Sequence, residues 1–93
     1  MRVVSNRTLL TFSADHRDAE APLQAWRKAM ESGNFSSFAA LKTCFRSVDR
    51  VGPYFVFDIG GNKYRVIAAI HFNRQMLFVR HVLTHRQYDR WKP

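Results

Sequence analysis

The stretch Val56–Arg65, V-F-D-I-G-G-N-K-Y-R, restricts the fold of this chain more than any other. Phe55, Phe57 and Ile59 alternate with polar or smaller residues, the period-2 pattern of a half-buried strand. Gly60-Gly61-Asn62 follows, and because these residues tolerate positive φ the chain can reverse there. A second strand opens with Lys63 and Arg65, which the two-residue period places on one face. Tyr64, Val66, Ala68, Ile70 and Phe72 fall on the opposite face as core. The expected product is a hairpin that presents a cationic pair on a sheet surface.

The flanking sequence supplies the rest of the fold. Arg2-Val3-Val4 reads as a short first strand, and Ser5 as the N-cap of a helix through about Ala14 with Leu9, Leu10 and Phe12 on its apolar side. A second helix is expected from near Pro22, a residue suited to the first helical position. Leu23, Trp26 and Met30 form its buried stripe, Arg27, Lys28 and Glu31 its wet side, and Gly33-Asn34 its stop. Ser36 or Ser37 caps a third, short helix carrying Phe38, Leu41 and Phe45 inward. Its Lys42 and Arg46 project together outward, either as an ordinary solvated face or as phosphate contacts. Asp49–Pro53 reads as a loop. Strands are expected at Tyr54–Ile59, Lys63–Phe72 and Met76–Leu83, with Asn73-Arg74-Gln75 as the turn between the last two; such short connections make the pairs antiparallel. Thr84 and Gln87 have the spacing of a capping box, so a helical turn follows on which His85, Tyr88 and Asp89 share a face. The order β-α-α-(α)-β-β-β describes one α+β domain over residues 1–93: an N-terminal strand and two to three helices packed on one face of a twisted, mainly antiparallel sheet.

Composition narrows the partners. Cys44 is the only cysteine, so no intrachain disulfide forms, and a reducing cytoplasm is the natural compartment. No apolar run approaches the length of a membrane span, so no membrane partner is expected. The net charge of +8 is uneven: from Lys63 onward seven cations stand against one acid, whereas residues 1–62 hold eight cations and six acids. Positive charge gathered on the sheet-forming half suits a polyanion, nucleic acid most economically. An acidic protein surface would satisfy the same arithmetic.

Two chemistries are set aside on spacing. His81 and His85 are four apart but straddle a strand end, with no third ligand in register and no cysteine pair, so no metal site is expected. His71 reads as a sheet residue and His16 as loop. Gly60-Gly61-Asn62-Lys63 joins two strands instead of opening a helix, so it is a turn and not a phosphate loop. What remains is Lys63, Arg65 and Arg80 from the sheet, with His85, Tyr88 and Asp89 from the C-terminal turn. Arg80 shares the parity of Phe78 and Val82, and its face depends on a register the sequence leaves open. This set suits cleavage of an RNA backbone without a metal or cofactor. Arg and Lys stabilise charge on the phosphate, His85 or Tyr88 transfers protons, and Asp89 orients His85 or pairs with an arginine. The structural alternative is an amphipathic turn whose Tyr88 and Trp91 pack on the sheet.

The run V-F-D-I-G-G-N-K-Y-R-V-I-A (Val56–Ala68), followed by R-H-V-L-T-H-R-Q-Y-D (Arg80–Asp89), resembles the HigB toxin family, a branch of the RelE/ParE-like toxins of type II toxin–antitoxin modules. L-x-x-W at Leu23–Trp26 and L-K-x-x-F at Leu41–Phe45 carry the resemblance over nearly the whole chain. The resemblance implies a RelE-like fold and an mRNA interferase, an endoribonuclease that acts on messages in the ribosomal A site. It implies as partners mRNA on the ribosome, ribosomal RNA and a cognate helix-turn-helix antitoxin, with operator DNA met only through that antitoxin. It also implies that Asn62, Lys63 and Arg65 line the RNA-facing sheet and that His85, Tyr88 and Asp89 complete the site, with base and acid left unassigned. Lys42, Arg46 and Arg80 are further candidates for RNA contacts. A non-nucleolytic ParE-like inhibitor of DNA gyrase on the same architecture is the alternative.

Overall fold

The computed structural model describes residues 1–93. The elements run β1 (Arg2–Val4), α1 (Asn6–Asp15), α2 (Glu20–Ser32), α3 (Phe38–Cys44), β2 (Asp49–Val51), β3 (Tyr54–Ile59), β4 (Tyr64–His71), β5 (Met76–Thr84) and α4 (His85–Arg90). One sheet has the order β1-β5-β4-β3-β2. The neighbours are antiparallel except β1, which pairs in parallel with β5 through Val3 and Leu77. A parallel pair cannot be closed by a tight turn, and here the whole helical layer and the hairpins lie between its two strands.

The expected α+β layering holds. Leu23, Trp26 and Met30 of α2 and Leu41 of α3 are buried against Phe55, Phe57, Ile59, Tyr64, Val66, Ala68 and Leu77 of the sheet. The Phe57 ring lies 5.1 Å from Trp26 and 5.6 Å from Phe45, and Phe38 sits 5.7 Å from Phe55. These are the positions that period 3.6 on the helices and period 2 on the strands predict. The second face of the sheet departs from simple alternation. Val56 and Ile67, which point away from the helical layer, are also buried, because α4 and Trp91 fold across that face. Burying two aliphatic side chains there contributes about 1.5–3 kcal/mol each.

Several local expectations are corrected. Asp49–Val51, read as loop, is an edge strand held by β3 through Asp49↔Val56 and Val51↔Tyr54. The second helix begins at Glu20, two residues before Pro22, after a 3-10 turn at Arg17–Ala19; Pro22 still falls in the first turn, where its missing N–H is not needed. Ser5 precedes α1 without a side-chain capping bond, whereas Ser37 caps α3 by accepting from the Ala40 N–H at 3.2 Å. His16 lies outside the helix, as expected, and closes α1 with its ring stacked on Phe12 at 4.2 Å. The register question at Arg80 resolves as a β-bulge. Ile67 pairs with His81 and Ala68 with Val79, so Arg80 is the extra residue of β5.

Candidate functional site

The β3–β4 turn builds the site. Gly60, Gly61 and Asn62 have φ of +63°, +61° and +83°, three consecutive left-handed residues that the two glycines and an asparagine tolerate where bulkier residues would not. This turn aims Asn62 back at the strand it begins. Asn62 accepts from Arg65 twice, at Oδ1 from Nη2 (2.7 Å) and at its carbonyl from Nη1 (3.0 Å). Across the ladder Asp58 is the direct partner of Arg65, and its carboxylate takes Nε at 2.9 Å. Nη1 also donates to the Tyr64 carbonyl at 3.1 Å, and Nη2 lies 3.4 Å from His85 Nδ1.

The guanidinium thus meets four acceptors through Nη1 and Nη2 and the Asp58 carboxylate at Nε, and the side chain is only 8% exposed. A guanidinium so placed is a fixed, desolvated cation. It is not a free fork able to grip two phosphate oxygens. Its bond to His85 has a further consequence. Arg65 can only donate, so in this contact His85 Nδ1 is the acceptor, and Nε2 on the other side of the ring faces Asp89 Oδ2 at 3.5 Å.

The last helix delivers His85, Tyr88 and Asp89 as one face. Thr84 accepts from the Gln87 N–H at 3.2 Å, and the Gln87 side chain accepts from the Thr84 N–H at 2.9 Å, which completes the capping box. The His85 N–H donates to the Lys63 carbonyl at 2.9 Å, tying the helix start to the hairpin turn. One turn later the Tyr88 ring lies 5.3 Å from the Arg65 guanidinium carbon, within cation–π range.

Of the residues singled out in the sequence, the structure thus brings together Asn62, Arg65, His85, Tyr88 and Asp89. Lys63 does not join them through its side chain. It lies in the turn before β4, and its Nζ pairs with Asp18 at 3.4 Å beside the Tyr64 hydroxyl, which donates to the same carboxylate. The expected cationic pair on one face is thereby split, with Lys63 toward the helical layer and Arg65 on the opposite face. The Tyr64 bond, aided by the Lys63 charge, holds Asp18 below the usual carboxylate range, and the Asp18 bond pushes the Tyr64 hydroxyl up. Lys42 belongs to the helical layer, lies over the Phe38 ring and donates to the Val48 carbonyl at 2.9 Å. Arg46 lies beyond the end of α3, so it and Lys42 do not form the expected pair on one helix face. Arg80 is exposed at the bulge and stands over the Phe78 ring at 5.6 Å, on the face that carries Arg65.

Sequence reasoning passed over Asp58 as a site partner and Trp91 as more than a packing residue. Counting strand pairs outward from the Gly60-Gly61-Asn62-Lys63 turn sets Asp58 opposite Arg65, and that signal was available. The cluster lies on the open face of the sheet, apart from the surface grooves around Thr8, Thr11 and Val82 and around Ser13, Arg17 and Glu20. The cations Arg80 on β5, Arg86 and Arg90 on α4 and Lys92 just beyond it are exposed. Chemically, the arrangement offers an oriented imidazole and a phenol, both beside a permanent positive charge.

Comparison with known proteins agrees with this architecture. Residues 19–91 match the family model described as HigB toxin, the RelE-like toxic component of a toxin–antitoxin system. The chain is 29% identical over 92 residues to a protein of Escherichia coli K12 named mRNA interferase toxin HigB, covering 96% of this chain and 88% of that protein. A protein of Escherichia coli O6:H1 named mRNA interferase HigB is 27% identical over 93 residues, covering 97% and 90%. With the family model spanning most of its length, and both the β3–β4 hairpin and α4 inside the match, the chain belongs to the HigB family of RelE-like toxins.

Proposed function

We propose that this toxin is an mRNA interferase, an endoribonuclease that cuts messages on the ribosome by attack of a 2′-hydroxyl on the adjacent phosphate. The observation that carries the reading is the bonding of Arg65 to His85 and its stacking with Tyr88 on an open, basic sheet face. A folded single-stranded message can lie across such a face, where a closed pocket would exclude it. In the proposed reaction the O2′ proton passes to a side-chain base, O2′ bonds to phosphorus, and the P–O5′ bond breaks. O5′ then leaves with a proton from a side-chain acid, giving a 2′,3′-cyclic phosphate and a 5′-hydroxyl. His85 and Tyr88 are the proton carriers, and Asp89 faces His85 Nε2.

Arg65 acts through its charge and through the orientation it gives His85, since its donors are already used. Lys63 reaches phosphate by leaving Asp18, an exposed ion pair that costs little to break. Asn62 shapes the turn and leaves its amide N–H groups to RNA, while Arg80 and the α4 cations contact phosphates; Lys42 and Arg46 meet only RNA that wraps to the helical side. Side chains alone supply these steps, so activity should survive a chelator. A helix-turn-helix antitoxin is the proposed partner that silences the toxin, and through it the complex meets operator DNA.

The test is primer-extension mapping of a reporter message after induction of the wild type and of His85→Ala. New cuts at in-frame positions, absent with the folded variant, are expected. Growth arrest with intact messages would end the nuclease reading and favour a gyrase-directed or other protein-directed toxin.

A further inference from the structure

α4 has six residues, none of them buried, so it is too short to hold its own geometry. Its first turn is fixed by the capping box and by the Lys63 carbonyl, which places His85. Tyr88 lies a turn further on, and neither of those bonds reaches it. The residue that does is Trp91. Its ring stands 6.0 Å from Tyr88, 5.8 Å from Tyr54 at the start of β3 and 6.3 Å from His81 in β5, and the Trp91 backbone N–H donates to the Tyr88 carbonyl at 3.0 Å. One side chain thereby joins α4 to both strands that flank β4, the strand that carries Arg65. Ile67 lies directly across the ladder from His81, and Val56 across from Ile67, so the ring sits over the apolar patch of this face. The chain then continues toward the β2–β3 turn, where a Cβ placed on Gly52 would stand 3.6 Å from Pro93.

We propose that Trp91 is the positioning residue of the site: wedged between Tyr54, His81 and Tyr88, it holds the Tyr88 ring over Arg65. It touches no reacting atom. Its catalytic consequence rests on the nuclease reading above, whereas its geometric consequence does not, and the two are measured separately.

The geometric readout is the Arg65 Nε–H resonance in a 15N-labelled protein. That N–H is buried and lies against the Asp58 carboxylate, which slows its exchange, and the Tyr88 ring beside the guanidinium displaces its shift. Trp91→Leu keeps an apolar cover for Val56 and Ile67 but lacks the ring; Trp91→Phe keeps a ring. Trp91→Leu should move the Arg65 signal to where Tyr88→Leu puts it, and Trp91→Phe should leave it near the wild-type position. On programmed ribosomes, Trp91→Leu should lower kcat by about a hundredfold with KM changed less than about threefold, and Trp91→Phe should recover most of the rate. An Arg65 signal unmoved by Trp91→Leu would overturn the proposal. A raised KM with kcat unchanged would also overturn it, because Trp91 would then be an RNA contact. A wild type without nuclease activity would sink the functional reading and leave the resonance to decide the positioning role.

Discussion

Arg65 shows what a single position does here. A cation that is almost wholly buried is tolerable only if its charge is paired and its donors find acceptors, and Asp58, Asn62, the Tyr64 carbonyl and His85 do this. Lysine would keep the charge but brings three donors in a different geometry, so it cannot serve Asp58, both acceptors of Asn62 and His85 together. Arg65→Lys is therefore expected to cost about 2–4 kcal/mol in stability, read as a lower urea midpoint at unchanged slope. It should also release His85 from its orientation, so cleavage should fall even at temperatures where the variant is fully folded. The histidine ring carbons and nitrogens in NMR spectra report that release directly. A variant with wild-type stability and unchanged His85 signals would mean that Arg65 does not set the geometry of His85.

At the scale of the element, the hairpin and α4 were legible because short-range chemistry writes them. Gly60-Gly61-Asn62 must turn, the Leu23, Trp26, Met30 stripe must face inward, and Thr84 with Gln87 must start a helix. Two failures have physical causes of longer range. β2 carries no alternation of its own and is a strand only because β3 offers it a ladder. Lys63 parted from Arg65 because the turn extends through position 63, and strand parity starts only at Tyr64. Similarly, the burial of Arg65 depends on Asp58 on the neighbouring strand, and the role of Trp91 depends on three elements brought together by the fold. The capping box gives a prediction at this scale. Thr84→Ala should weaken α4 by about 1 kcal/mol, because the Gln87 N–H loses its acceptor. Hydrogen exchange at Gln87 and Tyr88 should accelerate while exchange in β4 stays slow, since α4 frays without the sheet opening. Equal acceleration in both would show that α4 and the sheet unfold as one unit.

Across the whole molecule, a polar contact joins the apolar packing in tying the helical layer to the hairpin that carries the site. Asp18, in the turn before α2, accepts from the Tyr64 hydroxyl and pairs with Lys63. Its acid dependence follows from the direction of the shifts. Asp18 is held below its ordinary value of 3.8, so its contribution is complete above that value and is lost as pH falls through the lower folded value. Tyr64 is raised above its ordinary value of 10.0, so its contribution is complete below pH 10 and is lost as pH rises through the raised one. The clamp therefore works between the two limits and fails at both ends. Tyr64→Phe removes the hydroxyl while keeping the ring in the core, which isolates the clamp from packing. The difference in urea midpoint between wild type and Tyr64→Phe should be largest near neutrality and shrink toward both pH 3 and pH 11. The spectroscopic tyrosine titration missing from the variant should lie above pH 10. A midpoint difference that stays constant across that range would mean the ring, and not its bond to Asp18, joins the two layers. The Asn62 turn and Arg65 would then owe their placement to sheet packing alone.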